Sequence, residues 1–273
     1  MYDTHAHVNF NAYKDDFEAV LKRAFEKDVS VINVGSQLST SARAVEMARQ
    51  YEKAYAAVGL HPIHLEDMEV EEEHANFTTR REEFDYHAYR ELASQEKVVA
   101  IGETGVDFFH TDGEDKIAKQ KQVFVEHVKL ANELALPLIV HCRGKKDNIG
   151  GAYVDVLKIL QEHKPKAGGV MHCYVGPAEL LKSFLDLGFY IGFNGVLTFD
   201  KTGTVEKSLL ATPLDRVLTE TDCPYLTPPP FRGKRNEPAY VEYIVGKIAD
   251  VLELPIDEIK KKTGENARAL FSI

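Results

Sequence analysis

The sequence alternates between short apolar runs of strand length and longer runs in which apolar residues recur every three or four positions. Phe17, Val20, Leu21 and Ala24, for example, share one face of a predicted helix. The helix candidates lie at residues 15–27, 42–51, 116–134, 153–163, 178–187 and 204–210. The strand candidates lie at residues 1–8, 30–35, 54–59, 98–102, 137–142, 168–173, 189–193 and 216–221. Eight strands alternating with helices predict a parallel α/β fold, and at this chain length they favour a closed (β/α)₈ TIM barrel over an open sheet.

The whole chain, residues 1–273, is expected to form one barrel domain, because α/β barrels of roughly 250 residues form single domains. Two segments depart from the regular alternation. Residues 64–90 are long and acidic, which predicts an extended loop with a solvated face and then the start of a helix. Residues 237–273 predict two extra C-terminal helices, with Pro238 and Pro255 in their first turns.

Composition narrows the class of protein. No apolar run approaches the roughly 20 residues of a membrane span, and the N-terminus lacks the basic and apolar regions of a signal peptide, so we expect no membrane association. Three cysteines argue against a disulfide framework and favour the cytoplasm, where we expect a monomer. The net charge of −10 disfavours a broad nucleic-acid-binding groove, although it allows a phosphate substrate in a small site.

Metal-ligating side chains recur at the predicted carboxyl ends of the strands. His5 and His7 lie two residues apart, so on a strand they face the same side, about 6.5–7 Å apart. Further strand ends carry His61, Glu103, His141, His172 and Asp222. Because these ends meet on one face of a barrel, where barrel enzymes hold their catalytic residues, we expect a metal centre there.

The number of candidate ligands exceeds what one ion needs, since a catalytic zinc usually takes three protein ligands. Two divalent ions about 3.5–4 Å apart, bridged by a carboxylate, fit better. Glu103 is the expected bridge, because its strand lies between the two groups. The first ion is expected on His5, His7 and Asp222, and the second on His141 and His172. Asp222 also has a free oxygen that can take a proton from water, so we assign catalytic roles to Asp222 and Glu103.

Six short motifs span nearly the whole chain in a fixed order: Asp-Thr-His-x-His, Gly-Leu-His-Pro, Gly-Glu-Thr-Gly-Val-Asp, His-Cys-Arg, His-Cys-Tyr-x-Gly and Glu-Thr-Asp-x-Pro-Tyr-Leu-x-Pro. Together they resemble the TatD family of metal-dependent DNases. The resemblance implies a TIM barrel of the amidohydrolase superfamily with two metals on the six ligands. It also implies Mg²⁺-type hydrolysis of DNA, single-stranded or with free ends, often as a 3′→5′ exonuclease. Histidine ligands favour Zn or Mn instead, so the ions stay open among Mg, Mn and Zn.

Three residues are candidates for binding the substrate. His61 matches a family position near the scissile phosphate. Arg143 lies two residues after His141, beside the predicted metal site, and is a candidate phosphate contact. Arg232 belongs to the loop 227–238 that follows the last strand, where an arginine could clamp a phosphate through two parallel hydrogen bonds.

Three loops at the predicted active-site face depart from the family pattern: the acidic segment 64–90, Phe108-Phe109 where a tyrosine is common, and residues 144–151, which resemble an insertion. They leave open a second hypothesis, a metal-dependent amidohydrolase, lactonase or phosphoesterase acting on a small molecule. Many such relatives bridge their metals with a modified lysine. The fourth strand here ends in Glu103 without a lysine, which favours the DNase. A non-catalytic barrel would lack a ligand, and all six positions are filled.

Overall fold

Eight parallel strands of one sheet form the centre of the computed structural model, which describes residues 1–72 and 75–273, with only the backbone at 71–72 and 75–77. The described residues form ten strands in two sheets: β1 (Tyr2–Ala6), β2 (Ser30–Val34), β3 (Ala54–Val58), β4 (Glu69–Glu72), β5 (Ala75–Thr78), β6 (Val98–Asp107), β7 (Leu138–Arg143), β8 (Gly169–Met171), β9 (Phe189–Phe193) and β10 (Val217–Thr219). The sheet runs in the order β1-β2-β3-β6-β7-β8-β9-β10, while β4 and β5 form a separate antiparallel pair.

The first and last strands of the sheet meet, which closes the barrel. Ala6, at the end of β1, bridges in parallel to Cys223, just beyond β10. The backbone N–H of His7 donates to the carbonyl of Cys223 at 2.9 Å, and that of Asp222 donates to the carbonyl of His5 at 2.8 Å. These bonds confirm the predicted (β/α)₈ barrel, and they hold three candidate metal ligands at one seam.

Helices follow the strands around the outside of the barrel. Within the described residues they are α1 (Phe17–Glu26), α2 (Leu38–Gln50), α3 (Tyr86–Ala93), α4 (Glu114–Leu134), α5 (Ile149–His163), α6 (Ala178–Asp186), α7 (Val196–Phe199), α8 (Thr204–Ala211), α9 (Val241–Leu252) and α10 (Ile256–Phe271). The six helices predicted from apolar spacing are confirmed, as are the two C-terminal ones. No helix in the described ranges combines the length and apolarity needed to cross a bilayer.

The start of α5 differs from the prediction. The helix begins at Ile149, so the last residues of the supposed insertion 144–151 form its first turn. The side chain of Asn148 caps this turn by accepting a hydrogen bond from the backbone N–H of Gly151 at 3.1 Å. Glycine has a poor intrinsic helix propensity, so apolar spacing alone predicted a later start.

The acidic segment contains regular structure that the sequence did not predict. The prediction of an extended loop was wrong for β4 and β5, which pair with Val70 opposite Phe77. Val70 is buried, although it lies among glutamates that have low strand propensity. The helix predicted at the end of this segment is α3, whose first turn is capped by the Asp85 carboxylate. Glu73, one of the acidic residues predicted to face solvent, lies outside the residues that the structure describes.

The C-terminal helix α10 closes the end of the barrel where the strands begin. The side chain of Asn266 donates to the carbonyls of Leu214 and Val217, at the start of β10, at 2.8 Å each. Leu270 and Phe271 pack against the apolar side chains that fill the barrel interior. Burying one such side chain contributes about 1.5–3 kcal/mol. Apolar packing at this end leaves the opposite end, where the strands finish, for polar groups.

Candidate metal centre

The two histidines of the first strand converge at the carboxyl end of the barrel. His5 lies within β1 and His7 follows it, and both are buried. Their Nε2 atoms are 3.1 Å apart. Asp222 Oδ1 lies 3.4 Å from His7 Nε2 and 3.8 Å from His5 Nε2. The ligand atoms of these three side chains lie within 4.8 Å of one another, so they could hold one cation, as the sequence predicts.

The surroundings of His7 and Asp222 direct their ligand atoms toward this point. His7 Nδ1 is 2.9 Å from the carbonyl oxygen of Val34, so Nδ1 donates its proton there and the lone pair of Nε2 faces the cluster. Asp222 has a left-handed backbone (φ 56°), which aspartate tolerates better than most residues. A buried, oriented imidazole with a free Nε2 lone pair is what a metal ligand requires.

The carboxylate of Glu103 lies between two groups of histidines and is 4% exposed. Its Oε2 is 3.3 Å from His5 Nε2. Its Oε1 is 2.9 Å from His141 Nδ1, 3.4 Å from His61 Nε2 and 3.7 Å from His172 Nε2. The two oxygens therefore face different histidines, which is the arrangement a bridging carboxylate needs.

Electrostatics keep Glu103 ionised. Burial raises the pKa of Glu103, but the charges of His61 and His5 and the hydrogen bonds from His141 and His5 outweigh it and hold the pKa well below its usual range. The pKa of Asp222 is lowered as well, because the charges of His172 and His5 and the hydrogen bond from His7 together outweigh the effect of burial. Buried carboxylates need positive charge nearby. Protons on the histidines or divalent cations can supply it, so this donor set fits a metal centre.

His141 lies between two carboxylates. Its Nδ1 faces Glu103, and its Nε2 is 3.1 Å from Asp107 Oδ2. Burial lowers the pKa of His141, but the hydrogen bonds that it donates to both carboxylates reverse this and raise it to about 9. A proton and a cation compete for the same nitrogen, so metal binding at His141 releases a proton.

His172 is oriented by Glu220. Its Nδ1 is 2.9 Å from Glu220 Oε1, which also accepts the backbone N–H of Cys173 at 2.7 Å. Burial lowers the pKa of His172, but the charges of Glu220 and Asp222 raise it to about 10. Gly192 makes room for this carboxylate, because a Cβ there would overlap Glu220 Oε2. The Nε2 of His172 is left facing the cluster, 3.9 Å from Asp222 Oδ2.

The second group of candidate ligands differs in composition from the predicted pair. His61, Glu103 and His141 have ligand atoms within 4.8 Å of one another. His172 lies nearer the first group, with its ring stacked on that of His5 at a centroid distance of 3.6 Å. His61 Nδ1 accepts the backbone N–H of Ile63 at 3.3 Å, which directs Nε2 toward Glu103. The structure thus brings all six predicted ligands together and places His61 beside them, with its Nε2 facing Glu103 as a hydrogen-bond donor.

Sequence reasoning gave no role to two buried carboxylates, Asp107 and Glu220, that contact these histidines. Burial raises the pKa of Asp107, but the hydrogen bonds from His110 and His141 outweigh it and lower the pKa below its usual value. The spacing of Glu103 and Asp107 along the sequence could have indicated that Asp107 faces the same histidines. Asp107 lies four residues after Glu103 on β6, and an even separation places both on the same face of a strand.

The two predicted arginines lie against aromatic rings. Arg143 Cζ is 4.2 Å from the centre of the Phe109 ring. Arg232 Cζ is 4.0 Å from the centre of the Phe199 ring, and its Nη1 donates to the carbonyl of Thr227 at 3.0 Å. Arg143 ends β7, two residues after His141, so it lies beside the cluster, whereas these contacts of Arg232 are with its own loop and with α7.

Several known proteins are similar to this chain in sequence or in fold. Residues 2–272 match the family described as TatD related DNase. The chain is 42% identical to the uncharacterized metal-dependent hydrolase YabD of Bacillus subtilis (strain 168), covering 100% of this chain and 99% of that protein. It is 30% identical to the 3′-5′ ssDNA/RNA exonuclease TatD of Shigella flexneri serotype 5b (strain 8401), covering 100% and 99%. The crystal structure of YJJV, a TatD homolog from Escherichia coli K12, superposes with a TM-score of 0.85 at 27% identity, covering 100% and 98%.

Proposed function

This chain belongs to the TatD-related DNase family and is a metal-dependent hydrolase, and we propose that it removes nucleotides from the 3′ ends of DNA. The observation that carries the proposal is the buried Glu103 carboxylate, whose two oxygens face different histidine groups. That arrangement suits two cations, and two-metal sites are common in enzymes that cleave phosphodiester bonds.

The ligands divide between two divalent ions, Mg, Mn or Zn. His5, His7 and Asp222 would hold one ion, and His141 and His172 would hold the other, with Glu103 placed to serve both. When bound, the ions would lower the pKa of water and would stabilise the negative charge on the attacking and leaving oxygens.

Asp222 is the proposed general base. Its side chain is the most exposed of the candidate carboxylates, at 15%. Its Oδ1 lies 3.4 Å from His7 Nε2, and its Oδ2, which is 3.9 Å from His172 Nε2, is the oxygen that would accept a proton from water. Because the pKa of Asp222 is lowered, the carboxylate is ionised at neutral pH and can accept the proton of the attacking water.

The substrate proposal concerns an unpaired 3′ end. His61 and Arg143 border the cluster and would contact the scissile phosphate, and Arg232 would contact the strand further along. A relative that is 30% identical is named a 3′-5′ ssDNA/RNA exonuclease, which supports both the polarity and the single-stranded substrate. A net charge of −10 also favours an end held at a few basic residues over a long duplex. The predicted cytoplasmic monomer stays a prediction.

The test is a cleavage assay on single-stranded DNA labelled at either the 3′ or the 5′ end. The protein is stripped with EDTA, and Mg²⁺, Mn²⁺ or Zn²⁺ is added back. A 3′→5′ exonuclease releases the 3′ label at once as a mononucleotide and shortens the 5′-labelled strand stepwise. The Glu103→Gln variant, which keeps the shape of the side chain but not its charge, should lose at least about a hundredfold in rate, on the scale of losing a metal's electrostatic contribution.

Two outcomes would contradict the proposal. Release of the 5′ label first would reverse the polarity. Absence of cleavage with every metal, in protein that binds two ions, would exclude the DNase and direct attention to the small-molecule hypothesis. Amide, lactone and phosphoester substrates would then be assayed with the same variant as control.

A further inference from the structure

Phe109 is an exposed aromatic side chain on the loop that follows β6. Among the described residues it is the only phenylalanine that is exposed, at 38%. Its neighbour Phe108 is buried. An isolated apolar side chain on a surface needs no explanation by itself. Two further observations, the cations beside the ring and its position near the candidate metal ligands, indicate a binding role for Phe109.

Two cations lie against the ring of Phe109. Arg143 Cζ is 4.2 Å from the ring centre, and Lys146 Nζ is 5.4 Å from it. An exposed ring beside cationic groups is the combination that binds single-stranded nucleic acids, because bases stack on the ring and cations attract the phosphates.

The positions of Phe109 and Arg143 follow from the register of β6 and β7. Asp107 pairs with Arg143 across these strands, and the backbone N–H of Phe108 donates to the carbonyl of Arg143 at 2.7 Å. Phe109 lies two residues beyond Asp107, and Arg143 two residues beyond His141. Arg143 is therefore about 6.5–7 Å along β7 from His141, and Phe109 lies in the bend directly after β6. A nucleotide whose phosphate lies at the cluster can reach both.

We propose that Phe109, with Arg143 and Lys146, forms a stacking site for the base next to the scissile phosphodiester bond. This inference rests on the proposed function and adds the feature that selects the substrate. A base inside a duplex has both faces covered by its neighbours, so only an unpaired or frayed terminal base can present a face to Phe109. The stacking site thus selects unpaired strands over blunt duplexes and over small phosphoesters that lack a base.

The experiment combines protein variants with an abasic scan of the DNA. Binding of a fluorescent single-stranded oligonucleotide is measured by anisotropy in EDTA, where the DNA is not hydrolysed. Phe109→Ala should weaken binding about tenfold, the scale of one base–aromatic stack. One abasic nucleotide near the 3′ end should weaken wild-type binding similarly, and Phe109→Ala should not weaken binding of that abasic strand further.

Further variants separate stacking from folding and packing. Phe109→Tyr keeps the ring and should bind like the wild type, whereas Phe109→Leu keeps apolar bulk and should bind like Phe109→Ala. Leu210→Ala is the matched control, because Leu210 is 60% exposed near the end of α8, which leads toward the start of β10 at the other end of the barrel. That variant should bind every strand like the wild type.

Each contrary result has a distinct meaning. Equal weakening of intact and abasic strands by Phe109→Ala would show that the ring only supports Arg143, and it would overturn the stacking site. Wild-type affinity of Phe109→Leu would do the same. If the wild type cleaves DNA and Phe109→Ala is unchanged, only this inference fails. If the wild type neither binds nor cleaves any strand, the proposed function itself fails.

Discussion

At the scale of single residues, the charge of Glu220 fixes how His172 presents its Nε2. Glu220 Oε1 lies 2.9 Å from His172 Nδ1 and accepts the backbone N–H of Cys173, and the carboxylate is fully buried. Carboxylates behind a metal-binding histidine orient the ring and increase its basicity. Glu220 is therefore a positioning residue, which acts on the cations through His172.

Replacing Glu220 by Gln should lower the affinity for divalent cations about 10- to 100-fold, because the amide keeps the shape but not the charge that polarises His172. Calorimetric titration of EDTA-stripped protein with Mn²⁺ measures this directly. Glu91→Gln, on the exposed face of α3, is the matched control and should bind Mn²⁺ like the wild type. Unchanged affinity in Glu220→Gln would contradict the positioning role.

Residue spacing predicted the ligands but not the residues behind them. His5 and His7 could be recognised because two positions along one strand share a face. The role of Glu220 depends on a neighbouring strand, where Gly192 makes space for its carboxylate, and one sequence does not give that distance. The same holds for His61, because the turn after β3 brings its Nε2 to Glu103.

At the scale of elements, helix α4 supports the turn that carries His61. The Nε2 of His127, on α4, accepts the backbone N–H of Leu60 at 3.0 Å, and its Nδ1 donates to the carbonyl of Val123 at 2.8 Å. Burial lowers the pKa of His127 to about 4, although the hydrogen bond with Val123 opposes this. The folded chain therefore holds His127 neutral, which leaves its Nε2 lone pair free to accept the hydrogen bond from the backbone N–H of Leu60.

This pKa predicts a loss of stability in acid. Unfolded His127 takes up a proton near pH 6.5 and the folded residue only near pH 4, so the free energy of unfolding falls as the pH drops through this window. Between pH 7 and pH 5 the loss from this residue is about 2 kcal/mol. Urea unfolding of wild type and His127→Gln at both pH values should show the smaller change in the variant. Equal changes would contradict this explanation.

Element types were predictable where apolar spacing was regular. The barrel strands have nearly continuous apolar runs because both faces are buried, and these runs predicted their positions well. The pairing of β4 with β5 was missed because glutamates surround Val70, and the first turn of α5 because it contains glycines. In both places tertiary contacts and capping outweigh local propensity.

At the scale of the whole molecule, the barrel separates stability from chemistry. Helix α10 and the apolar interior occupy the end where the strands begin, and the buried histidines and carboxylates occupy the end where they finish. The barrel closure between β1 and β10 joins His5, His7 and Asp222 through backbone hydrogen bonds. A metal-dependent hydrolase needs this arrangement, since several strands must hold ligands at fixed distances.

The most direct test of the two-ion centre is the number of ions that the folded chain binds. Stripped protein is equilibrated with Mn²⁺ and desalted, and the metal and protein contents are measured by mass spectrometry and absorbance. We predict two ions per chain for the wild type and a loss of both, or of all but one, in Glu103→Gln, because that carboxylate faces both ligand groups. One ion or none in the wild type, or two ions retained in Glu103→Gln, would contradict a bridged two-metal centre.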